Sequence, residues 1–282
     1  MMFKPCFDEN KQITYSNRVR VGNWFEASKL EEHKLNLFLD QMKKGGLMLA
    51  RFRKMSKNLL KPADLTQSTG SFNFGSKICL LAPYVSGLRP SQPDNKGLLL
   101  GGRISSNDID YSQELEDGCT IAAFPDKTPY ARSTFVVTSS DYCNREKEYL
   151  KYNQEFLLTL SSSIERKKPL YIRYDPNPIP GLIGTYPLYL SEHPVSNTRW
   201  RVLPKQRPDL TRFEQEGEPV HVNTDVIINH CATNVNLGIN TCFSASGFYG
   251  KMSAPLVKTC LDVYGRELPN NIWHFYVPLA TT

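Results

Sequence analysis

A short apolar pattern occurs three times along the chain: Phe74-Gly-Ser-Lys-Ile-Cys-Leu80, Tyr152-Asn-Gln-Glu-Phe-Leu-Leu158 and Val222-Asn-Thr-Asp-Val-Ile-Ile228. Each copy is followed further on by an aromatic-led run: Thr134-Phe-Val-Val137, Arg199-Trp-Arg-Val202 and Ile272-Trp-His-Phe275. Short runs rich in Val, Ile, Leu and aromatics, bounded by Gly, Pro, Asn and Ser, predict strands. A unit repeated at this spacing predicts copies that stack on one another to bury a shared core.

Shorter apolar runs lie between the first and last strand of each copy. They are Leu98-Leu-Leu100, Pro169-Leu-Tyr-Ile172 with Pro187-Leu-Tyr-Leu190, and Val235-Asn-Leu-Gly238. Four strands per copy give twelve, the number needed for six in a closed barrel and six capping it. Closure removes exposed edges. The expected fold is mainly β, a β-trefoil-like pseudo-threefold barrel over 70–282, with repeats at about 70–145, 146–215 and 216–282. Two proline-rich stretches, Ala82 to Pro93 and Arg173 to Pro187, are expected on edges or loops because proline cannot donate to a central ladder.

Residues 1–69 read differently, as an arm and a helical extension. Val19-Arg-Val-Gly-Asn-Trp24 looks short and β-like. Ser28-Lys-Leu-Glu31 has the form of a capping box and predicts a helix start. Leu30, Leu35, Phe38, Leu39 and Met42 fall at helical spacing, interrupted by Lys34, and Gly45-Gly46 would end the helix. A second helix is predicted from Leu47 to Leu60, stopped by Pro62, with Met48, Phe52, Met55 and Leu59 on one face. Arg51, Arg53, Lys54, Lys57 and Lys61 make a basic cluster there with no acidic residue inside it. Such a cluster is either a solvated face or an electrostatic contact with an acidic surface.

Composition leaves this picture in place. The 282 residues are 40% hydrophobic and 11% aromatic, enough for a sizeable core. The net charge of +6 favours acidic partners without choosing among them. The seven cysteines include no CxxC, and the first residues carry no apolar signal region, so a reducing, cytosol-continuous compartment is expected.

Catalytic signatures are missing: there is no phosphate loop, GxGxxG, GxSxG or HExxH. Gly97-Leu-Leu-Leu-Gly-Gly102 lacks the lysine of a phosphate cradle and reads as a pair of β-turns. His221, His230, Cys231, Cys242, Cys260 and His274 lack the paired spacing of a zinc site. Asp108, Asp110 and Glu114-Leu-Glu-Asp117 lack that of a calcium loop. The basic segment has one aromatic, Phe52, which is too few for a nucleic-acid stacking platform. Neither an enzyme nor a cofactor is expected.

Five strings taken together resemble the cilia- and flagella-associated protein 161 family. They are Val19-Arg-Val-Gly-Asn-Trp24, Lys57-Asn-Leu-Leu-Lys-Pro62, Lys127-Thr-Pro-Tyr-Ala-Arg-Ser-Thr-Phe135, Ile227-Ile-Asn-His-Cys-Ala-Thr-Asn234 and Phe248-Tyr-Gly250. The resemblance runs from about residue 18 to residue 277. It implies a structural microtubule inner protein on the lumenal wall of the A-tubule of ciliary doublets, stabilising the axoneme for motility. The implied partners are the α/β-tubulin lattice and neighbouring inner proteins, with no nucleic acid, no membrane, no cofactor and no catalytic residues. Contacts made by a longer C-terminal tail in some relatives are not carried over.

On that reading the acidic tubulin surface is met by Arg51, Arg53, Lys54, Lys57 and Lys61, with Tyr84, Tyr174 and Tyr186 as aromatic anchors. An alternative from another class is a trefoil module that recognises a sugar or phosphoinositide through one repeat's loops.

Overall fold

The computed structural model describes residues 22–68, 70–86, 96–105, 108–109, 111–141, 145, 148–176, 187–205 and 214–277. The chain forms two compact units, Met1–Ala50 and Arg51–Thr282.

The first unit holds α1 (Gly22–Lys43). It begins before the expected capping box, so Trp24 is helical and not β-like, and Ser28 and Glu31 lie inside the helix. Glu26 and Ala27 are good helix formers, and an interior serine costs only about 0.5 kcal/mol. Lys29 pairs with Glu32 one turn on, at 2.6 Å. The helix stops where predicted: Gly45 takes φ +66, and the Gly46 N–H donates to the Gln41 carbonyl at 2.8 Å. Leu35, Phe38 and Met42 are exposed.

α2 (Met48–Leu59) enters the second unit at Arg51. Twelve strands follow: β1 (Lys77–Ser86), β2 (Lys96–Arg103), β3 (Thr120–Phe124), β4 (Thr134–Ser139), β5 (Glu155–Leu160), β6 (Tyr171–Tyr174), β7 (Leu188–Ser191), β8 (Arg199–Pro204), β9 (Val226–His230), β10 (Val235–Gly247), β11 (Gly250–Val257) and β12 (Ile272–Tyr276).

Six of them close a ring of antiparallel pairs. Ile78 of β1 faces Phe135 of β4, Val137 of β4 faces Leu158 of β5, and Phe156 of β5 faces Trp200 of β8. Val202 of β8 then faces Ile228 of β9, Val226 of β9 faces Trp273 of β12, and Phe275 of β12 returns to Leu80 of β1. These residues alternate along their strands and all belong to one buried core, which is the period-two pattern that points one face inward. The other six strands form the pairs β2–β3, β6–β7 and β10–β11. The fold is thus mainly β, a closed barrel after an N-terminal helix.

The strands enter the ring through matching turns. Gly75, Asn153 and Asn223, each one residue into a copy of the pattern, all have positive φ. Glycine and asparagine tolerate that backbone best. Their N–H groups donate to the carbonyls of Val137, Val202 and Phe275 at 2.8, 2.7 and 3.1 Å. The preceding residues, Phe74, Tyr152 and Val222, donate to Glu148, Glu218 and Gly70, each at 3.0 Å. Each of these acceptors lies just ahead of another copy, so the bonds run head to tail around the base of the ring.

Two loop expectations change. Gly97 to Gly102 is not a pair of turns but β2 itself. A Cβ at Gly101 would lie 3.1 Å from the Arg132 carbonyl, and one at Gly102 would meet Leu115 at 2.5 Å, so the strand carries glycine where neighbours press on it. Pro83 is inside β1, at the register shift between Ala82 and Ser86, where the ladder is interrupted. The rest of that proline-rich stretch, from 87 to 93, and residues 177–186 of the second lie outside the described residues.

Candidate partner-binding surface

α2 sorts its residues by face. Met55 and Leu59 are buried and Phe52 is half-buried. Arg53, Lys54 and Lys57 are exposed on the other side, Lys61 is exposed two residues beyond the helix end, and Arg51 is half-buried. Steps of three and four residues bring helical side chains to neighbouring positions, so the exposed cations form one strip. The nearby acids have other partners: Glu114 holds Arg166 at 2.6 Å, and Glu165 holds Lys77 at 3.6 Å. With Lys57 and Lys61 they border an open groove of about 880 Å³.

The end of the helix is stitched to the barrel. The segment before β4 runs beside the residues after α2. Ala131 N–H donates to the Lys61 carbonyl at 2.8 Å, Arg132 N–H to Leu59 at 3.2 Å, and Ala63 N–H to Pro129 at 3.1 Å. The β10–β11 hairpin reaches the helix from another direction. Its tip places the Phe248 ring 5.0 Å from Phe52, and the Tyr249 hydroxyl donates to Met55 Sδ at 3.0 Å.

The two predicted tyrosines that are described, Tyr84 and Tyr174, make their contacts elsewhere. Tyr84 is exposed, but its hydroxyl donates to both Asp225 oxygens at 3.0 Å. Lys205 and His274 also donate to Asp225, at 2.7 and 2.6 Å. Partial burial pushes the Asp225 carboxyl up, but these three donors outweigh it and hold the group below the usual carboxylate range. Burial and the neighbouring carboxylate push the Tyr84 hydroxyl up. Tyr174 packs edge-on to the buried His230, with ring centroids 5.2 Å apart. Tyr186 lies outside the described residues.

One buried cluster was missed by sequence reasoning. Arg132 is 3% exposed, with its guanidinium carbon 3.8 Å from the Phe124 ring and 4.7 Å from the Tyr249 ring. Two of the strings noted for their resemblance, Lys127 to Phe135 and Phe248 to Gly250, contain Arg132 and Tyr249. Nothing in their spacing shows that they meet.

Three of the described cysteines are poor nucleophiles. Burial pushes the Cys79 and Cys231 thiols up to about 11 and raises that of Cys119. Among the described residues no three His, Cys, Asp or Glu side chains are grouped to hold a metal.

Barrel and helix together define a class: a closed β-barrel protein presenting a cationic helix. The family follows from comparison. Residues 51–177 and 181–277 match the family model described as "Cilia- and flagella-associated protein 161-like domain", and the chain belongs to that family. It is 31% identical over 277 residues to cilia- and flagella-associated protein 161 of Bos taurus, covering 93% of this chain and 82% of that one. To the protein of the same name in Mus musculus it is 29% identical over 268 residues, covering 93% and 88%. Among solved structures it is similar to the SDF2-like protein from Arabidopsis thaliana, with a TM-score of 0.46 and 14% identity over 75% of this chain and 99% of that one. A likeness that loose carries no argument.

Proposed function

We propose that the chain is a non-enzymatic structural protein of cilia and flagella, bound to the lumenal wall of the A-tubule of doublet microtubules. It stabilises the axoneme there, against the α/β-tubulin lattice and neighbouring inner proteins. The relatives' names support a ciliary role. The observation that carries the docking is the strip Arg53, Lys54 and Lys57, exposed on a helix whose other face is fixed to the barrel, with Lys61 exposed just beyond its end. A single exposed ion pair is worth only about 0–1 kcal/mol. Lasting attachment therefore needs many contacts repeated along a lattice, where avidity multiplies weak ones.

The barrel is read in the same proposal as a β-trefoil-like assembly of three like parts. The head-to-tail bonds from Phe74, Tyr152 and Val222 support this, as do the matching positive-φ residues Gly75, Asn153 and Asn223. A closed barrel with no free edge supplies stiffness, which suits a part that holds a shape.

Fractionation tests the assignment. The protein is expected to stay with axonemes through detergent and moderate salt, and to leave only when the doublets dissolve. Release with the membrane and soluble fraction would overturn it.

A further inference from the structure

Arg132 touches four separate elements. Its N–H donates to the Leu59 carbonyl at the end of α2, at 3.2 Å. Its carbonyl accepts from Gly102 on β2 at 2.8 Å. Its guanidinium lies over Phe124 on β3 and Tyr249 at the β10–β11 tip, at 3.8 and 4.7 Å. Both distances are within the range of about 6 Å over which a ring face attracts a cation. Tyr249 then reaches Met55 on the inner face of α2, and Phe248 beside it rests on Phe52.

A buried guanidinium is costly unless its surroundings replace water. Arg132 Nη1 has no hydrogen-bond partner among the described residues; the two aromatic faces compensate it, helped by the Tyr130 ring at 6.0 Å and the charge of the Asp126 carboxylate. An apolar side chain would fill the space without that cost. A flat guanidinium can lie against both rings at once, and the rings come from elements far apart in sequence.

We propose that Arg132 is the positioning residue of the cationic helix: by clamping Phe124 and Tyr249 while holding Leu59 and Gly102, it fixes α2 and the hairpin tip to the barrel as one piece. This rests on the docking role given to α2 above. It adds that the strip works because it is held rigid, since a pre-organised surface loses less freedom on docking.

Hydrogen exchange on the isolated full chain tests the clamp without any partner. In Arg132→Met, amides at 51–61 and around 248–250 are expected to exchange about ten-fold faster or more, while those of β9 and β12 keep their protection. Arg132→Lys, which keeps the charge but not the flat guanidinium, is expected to fall between. The core variant Val202→Ala, which removes contacts from the barrel interior and leaves the clamp intact, controls for general loosening. The proposal is overturned if 51–61 are unchanged in Arg132→Met, or if exchange rises evenly as in the core variant. Faster exchange at 51–61 with full axonemal retention would support the clamp and overturn the docking role instead.

Discussion

Trp200 and Trp273 make the same bond in different parts of the barrel. The Trp200 indole N–H donates to the Ile172 carbonyl at 3.1 Å, and that of Trp273 to the Leu237 carbonyl at 2.9 Å. Each tryptophan is the second residue of an aromatic-led strand, fully buried, and each ties a barrel strand to the first strand of the preceding hairpin pair. Replacing either with Phe leaves much of the packing and removes the donor. A buried carbonyl that loses a partner costs about 1–3 kcal/mol. Trp200→Phe is expected to lower the urea unfolding free energy by about that much, and Trp273→Phe by less, about 0.5–1.5 kcal/mol, because the Asn271 side-chain amide also donates to the Leu237 carbonyl at 3.0 Å. A loss under a few tenths in both would show the bonds to be incidental.

His230 makes stability depend on pH. Its Nε2 lies 3.1 Å from the Asn197 carbonyl and therefore carries the proton, while Nδ1 accepts from the Thr233 hydroxyl at 2.9 Å. Burial lowers its pKa below the ordinary 6.5, more than the Asn197 carbonyl and Asp175 raise it. The unfolded chain thus binds the proton more readily than the folded one. This contribution is fully present above about pH 6.5 and is lost as the pH falls below it, by about 1.4 kcal/mol per unit of depression at most. Urea midpoints at pH 7.5 and 5.5 are expected to differ more for the native chain than for His230→Gln. Equal differences would contradict this.

The left-handed turns separate two kinds of asparagine. The Asn223 side chain donates to the Val277 carbonyl at 3.0 Å and accepts its N–H at 3.3 Å. Asn153 at the matching turn reaches only the exposed Glu216. Asn223→Ala is expected to cost about 1–3 kcal/mol, from backbone strain and lost bonds together. Asn153→Gly is expected to stay within a few tenths, since glycine takes φ near +64 freely. Thermal unfolding of the two variants checks the order, and the reverse order would count against the account.

Charge reversal at Arg53, Lys54, Lys57 and Lys61 is expected to leave the unfolding midpoint within about 0.5 kcal/mol, because all four are exposed. The same variant should leave axonemes at lower salt than the native chain. Equal salt resistance would remove the electrostatic part of the docking role.

The barrel strands were legible because their pattern is local. Ile78 and Leu80, Phe156 and Leu158, and Val226 and Ile228 alternate within runs that repeat, and a buried strand needs little more to announce itself. What failed depended on distant neighbours. Gly97, Gly101 and Gly102 read as turn residues until Leu81, Arg132 and Leu115 are seen pressing on them. The basic residues of α2 were visible as a cluster, whereas the residue that braces the helix was not. Arg132 lies among ordinary polar residues, and its two rings lie on β3 and at the β10–β11 tip. Tyr84 looked like a loop anchor because its partner Asp225 is remote in sequence.

A side-chain-resolution cryo-electron map of doublet microtubules from the organism that makes this chain tests the central claim most directly. The expected result is density for the twelve-stranded β domain inside the A-tubule, with Arg53, Lys54, Lys57 and Lys61 facing acidic tubulin side chains. A map that places the barrel elsewhere, or turns those four side chains toward open lumen, would contradict it.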